Sequence, residues 1–66
     1  MDTKYLLAEA LKICMKKAPL EKITVKDITD TCAISRQTYY RHFQDKQDLV
    51  NWYFEKILNE SFEHMG

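Results

Sequence analysis

The side chains best equipped for chemistry stand close together, between Thr24 and Lys46. Ser35 is followed by Arg36, Gln37 and Thr38, then by Tyr40, Arg41 and His42, and shortly afterwards by Lys46. Each suits one part of a nucleic-acid duplex. Arg can bond bidentately to guanine and Gln to adenine, and the Thr methyl can touch the methyl of thymine. Tyr and His can donate to phosphate oxygens, which fixes register without reading sequence. Lys46 opens a long helical stretch, where free N–H groups and the helix dipole already favour a phosphate. A solvated mixed surface also carries such charges. The order sets this one apart: a Ser cap, Arg-Gln-Thr, Tyr40-Arg-His-Phe43, then Lys46.

Other chemistries find little support. Ser35 is better used as a helix cap than as a nucleophile. Cys14 and Cys32 are too few for a disulfide framework, no C-x-x-C is present, and His42 and His64 do not stand at zinc-ligand spacing from them. They read as two half-buried thiols of a reducing cytoplasm, so neither a metal nor a cofactor is expected. A chain of 66 residues can hardly bury both a core and a preorganised pocket, so an enzyme is not expected either.

Composition bounds the scaffold. Hydrophobic residues make up 45% and charged residues 30%, the balance of a folded chain. With one Gly and one Pro, an all-β fold with its many turns is excluded. No apolar run approaches a membrane span, and the N-terminus does not read as a secretory signal. The net charge of zero hides an asymmetry. Residues 1–46 hold nine Lys/Arg against six Asp/Glu, whereas residues 47–66 hold Lys56 against Asp48, Glu55, Glu60 and Glu63. A basic first part joined to an acidic last part suits a molecule that meets a polyanion with one face.

Four helices must position these side chains. Leu6, Leu7, Ala10, Leu11 and Cys14 repeat at helical spacing over residues 3–17, with Asp2 or Thr3 as the cap and Pro19 as the stop. Residues 20–23 form a connector. Thr24 and Asp27 make an approximate capping box for a helix from Val25 to about Thr31, with Val25, Ile28 and Cys32 facing inward. After the turn at 32–34, Ser35 caps a third helix over 36–42, anchored by Tyr39 and Phe43. Asp45 opens a fourth, which runs without a breaker to about His64. The expected fold is all-α, a small bundle of about four helices with a helix-turn-helix at 24–43.

The stretch Ile23-Thr-Val-Lys-Asp-Ile-Thr, continued by Ser35-Arg-Gln-Thr-Tyr-Tyr-Arg-His-Phe-Gln-Asp-Lys-Gln-Asp-Leu49, resembles the DNA-binding domain of the TetR family of bacterial transcriptional regulators. Tyr40-Arg-His-Phe43 and Lys46-Gln-Asp-Leu49 match that family's pattern, and the likeness covers residues 1–60. One position departs from it: the turn residue, usually Gly because positive φ costs Gly little, is Ala33. With Asn51-Trp52 added, the chain is similar to regulators linked to dihydroxyacetone kinase operons. The resemblance implies that Thr24 and Lys26 touch the DNA backbone and that Arg36, Gln37 and Thr38 face bases. Tyr40, His42 and Lys46 would hold phosphates, with Arg41 in the same surface. It further implies a cytoplasmic homodimer on operator DNA with inverted half-sites, and a C-terminal domain for dimerisation and an effector.

The fourth helix carries more apolar side chains than one face can hold: Leu49, Val50, Trp52, Tyr53, Phe54, Ile57, Leu58, Phe62 and Met65. Trp52, Tyr53 and Phe54 are each about 100° apart around the helix and cannot share one small core. Trp52, Phe54, Leu58 and Phe62 are therefore expected at a protein interface, and the chain is expected to be a piece of a longer protein whose C-terminal domain is absent here. A second reading makes the domain a protein-docking module that meets a coactivator through this helix. Substitutions at Arg36 and Lys46 against Trp52 and Phe54 separate the two.

Overall fold

A computed structural model describes the backbone of residues 2–65 and the side chains of residues 2–57 and Asn59. It contains α1 (Thr3–Met15), a short 3-10 turn (Leu20–Lys22), α2 (Val25–Cys32), α3 (Arg36–His42) and α4 (Lys46–Met65). The all-α expectation holds, and the boundaries fall within two residues of those read from the sequence. Among the described residues no helix is long and apolar enough to cross a membrane.

Local sequence explains each start. Of the two possible caps on α1, Asp2 is the one used: its Oδ1 accepts from the Lys4 amide at 3.1 Å. Thr24 and Asp27 form a full capping box on α2, in which each side chain accepts from the other's backbone N–H, at 3.1 and 3.0 Å. The hydrogen bond from the Thr24 amide, with the Thr24 side chain beside it, holds the Asp27 carboxyl below its ordinary range. Ser35 Oγ caps α3 through the Thr38 amide. On α4, Asp45 Oδ1 accepts from the Asp48 amide at 2.9 Å, and Asp48 reaches back to the Gln44 amide at 2.9 Å.

The turn between α2 and α3 is built around the departure noted above. Ala33 adopts φ 57° and ψ 36°, the left-handed region, and among the described residues it alone has positive φ. The Ile34 amide reaches back to the Thr29 carbonyl at 3.0 Å and closes the end of α2. The turn thus keeps the geometry that Gly favours, with an Ala in it.

Packing follows the apolar stripes. Leu7, Ala10, Leu11 and Cys14 of α1 meet Ile28 of α2, Tyr39 and Phe43 of α3, and Leu49 and Val50 of α4 in one core that also takes in Ile23. Ala8 is buried as well, although the stripe read from the sequence omitted it. The α1 helix lies against both α2 and α4, while α3 is held by α2 and by its own aromatics. Cys14 is buried, Cys32 is half-buried, and both are free thiols. Burial pushes the Cys32 thiol above its ordinary value, so it is a poor nucleophile.

Candidate nucleic-acid interface

The seven residues of α3 divide by face. Tyr39 is 0% exposed and Phe43, which ends the helix, is 4% exposed. Their rings tilt against one another at 5.7 Å. Tyr39 Oη donates to the Asp45 carbonyl at 2.7 Å, which ties the middle of α3 to the first residues of α4. Burial raises the pKa of this phenol, so it stays a neutral donor. With these two anchors inside, Arg36, Gln37, Tyr40, Arg41 and His42 are all left on the exposed side.

Their polar ends are not used internally: among the described residues, none of these five side chains makes a hydrogen bond or ion pair to another side chain. Tyr40, 53% exposed, rests its ring edge-on against Tyr39 at 5.2 Å. Thr38 is half-buried, and its hydroxyl accepts from Ser35 Oγ at 3.0 Å, so its methyl and its remaining donor are what it can offer a ligand.

The α2 end of the surface is exposed too. The Thr24 hydroxyl accepts from the Asp27 amide, which leaves its O–H as a donor. Lys26 pairs with Asp30 at 3.1 Å, but both side chains are more than half exposed. Such a surface pair is worth little, and a phosphate can draw the ammonium away from it.

Lys46 opens α4. It is half-buried, and its Nζ donates to the Leu20 carbonyl at 2.8 Å, across to the connector between α1 and α2. An ammonium has three donors, so two remain for other acceptors. The start of α4 also carries the carboxylates of Asp45 and Asp48, which already occupy part of its positive end. The Asp45 cap was legible in the sequence, but the contact with Leu20 was not, since that carbonyl lies 26 positions away along the chain.

Trp52 has contacts within the domain. It is half-buried, packs on the core, and meets Phe43 at 6.0 Å and Tyr5 at 5.2 Å. Its ring joins α4 to α1 and to the end of α3 through edge-type aromatic contacts. Phe54 stays outward at 47% exposure, beside Ile57 at 37%. Leu58 and Phe62 lie outside the residues whose side chains are described. Among the described residues no group of three His, Cys, Asp or Glu stands close enough together to hold a metal ion.

A short helix braced by α2, anchored by buried Tyr39 and Phe43 and with its basic and amide side chains outward, defines a helix-turn-helix DNA-binding domain. Residues 6–53 match the model of the bacterial regulatory proteins of the tetR family. The chain belongs to that family, whose members regulate transcription by binding DNA. Over 68 aligned positions it is 34% identical to the HTH-type dhaKLM operon transcriptional activator DhaS of Lactococcus lactis subsp. lactis (strain IL1403). The match covers 97% of this chain but 36% of that relative's length. No solved structure matched the chain.

Proposed function

We propose that this chain is the operator-reading head of a TetR-family regulator, with α3 lying in the major groove. Arg36, Gln37 and Thr38, at the N-terminal end of α3, contact base edges. Thr24, Lys26, Tyr40, Arg41, His42 and Lys46 hold phosphates on either side and set the register. Lys46 does so while its ammonium is oriented by the Leu20 carbonyl. Two copies related by a two-fold axis place their recognition helices in successive major grooves of inverted half-sites. An effector bound by a further domain changes the spacing of the two heads, in a cytoplasmic homodimer. The name of the Lactococcus relative brings to this chain the regulation of an operon of the dhaKLM kind.

One observation carries the reading. Five side chains with duplex-binding chemistry, Arg36, Gln37, Tyr40, Arg41 and His42, are exposed on α3, while Tyr39 and Phe43, the residue that follows the helix, are the buried anchors. The test is selection from a pool of random duplexes, followed by titration of the enriched duplex and a scrambled one. Wild type should prefer the enriched duplex, and Arg36→Ala should give up about 1–3 kcal/mol of that preference. Lys26→Ala should weaken both duplexes alike. Selection that enriches no sequence, or an Arg36→Ala variant with undiminished preference, contradicts the reading.

A further inference from the structure

Lys4, near the start of α1, lies outside the helix-turn-helix. Its Nζ sits 5.7 Å from the centroid of the Phe43 ring, the residue that ends α3. Phe43 is buried, while its neighbours Arg41, His42 and Gln44 are exposed. Lys4 is half-buried, so its stem lies along the protein and its charge is held by the ring at the border of the α3 surface. The nearby Asp2 carboxylate is engaged with the Lys4 backbone amide, not with its ammonium. Among the described residues Lys4 has no ion-pair partner, since the pair formed there is Lys26 with Asp30.

An ammonium held in place by an aromatic ring and left without a counter-anion is prepared to receive one. The ring also lowers the entropy lost when an anion arrives, because the long side chain is already partly ordered. We propose that Lys4 is a further phosphate-contacting residue, which extends the DNA-backbone surface from the end of α3 onto α1. This inference rests on the reading of α3 as the DNA-binding helix. The contact adds affinity but no sequence preference.

The experiment titrates wild type, Lys4→Gln, Lys4→Met and Lys4→Arg against the enriched and scrambled duplexes over a series of salt concentrations. Thermal unfolding of each variant is recorded in parallel. One lost phosphate contact lowers the slope of log K against log salt by about 0.9, which corresponds to about eightfold weaker binding at 0.1 M salt. Lys4→Gln and Lys4→Met should both show this loss on both duplexes, and Lys4→Arg should restore it. A neutral variant with the wild-type slope overturns the inference, even if its midpoint of unfolding falls, because Lys4 then serves only to pack on Phe43. Wild type that binds neither duplex overturns the DNA reading itself, and this inference with it.

Discussion

Replacing Ala33 with Gly should stabilise the domain. Ala33 is held at φ 57° and ψ 36° by the turn that joins the two helices of the DNA-binding unit. For a residue with a Cβ that conformation costs about 1–2 kcal/mol, because the Cβ crowds the following carbonyl. Gly escapes this cost but loses more backbone freedom on folding, which returns about 0.5–1 kcal/mol. The net gain for Ala33→Gly is then about 0–1.5 kcal/mol, with a central value of about 0.7. For a domain of this size the central value is a rise in Tm of about 3–6 °C. Ala33→Val should move the opposite way, since a β-branched side chain fits the left-handed region worse still. Thermal unfolding followed by circular dichroism reads both. A Tm for Ala33→Gly at or below wild type refutes the strain argument and means that the Ala33 methyl contributes packing that outweighs it.

The α2 capping box should be visible in acid. Asp27 is held below its ordinary value of 3.8, so its contribution is complete above that value and is lost as pH falls through the lower folded one. Asp27→Asn should flatten that part of the stability-pH profile relative to wild type, and Thr24→Ala should cost about 1 kcal/mol at neutral pH. Tyr39→Phe removes the donor to the Asp45 carbonyl and should cost about 1–2 kcal/mol in denaturant unfolding, with faster amide exchange at the start of α4. Cys32 should react slowly with a thiol reagent at neutral pH, because burial raises its thiol; reaction at the rate of an exposed model thiol contradicts that placement.

Much of this architecture is local and so was legible along the chain. Thr24 with Asp27, Ser35 before Arg36, and Asp45 before Lys46 are start signals written within four residues, and each is a cap in the structure. Tyr39 and Phe43, four apart, fall on one side of a short helix, which by geometry leaves Gln37 and Arg41 on the opposite side. The unread features depend on distance along the chain. The Leu20 carbonyl that takes the Lys46 ammonium belongs to another element, and a backbone acceptor has no residue signature. Trp52 reads as surplus on a helical wheel, because the wheel does not contain Tyr5 and Phe43, which it joins. Lys4 was missed for the same reason: its neighbour Phe43 is 39 positions away.

The most direct test of the central claim is a backbone-amide NMR titration of the domain with the enriched duplex. Shifts should gather at residues 24–26, 36–42 and 46, with Lys4 beside them and little change at Phe54 and Ile57. Shifts centred on the outward face of α4, with α3 unmoved, would contradict it and make that helix the working surface.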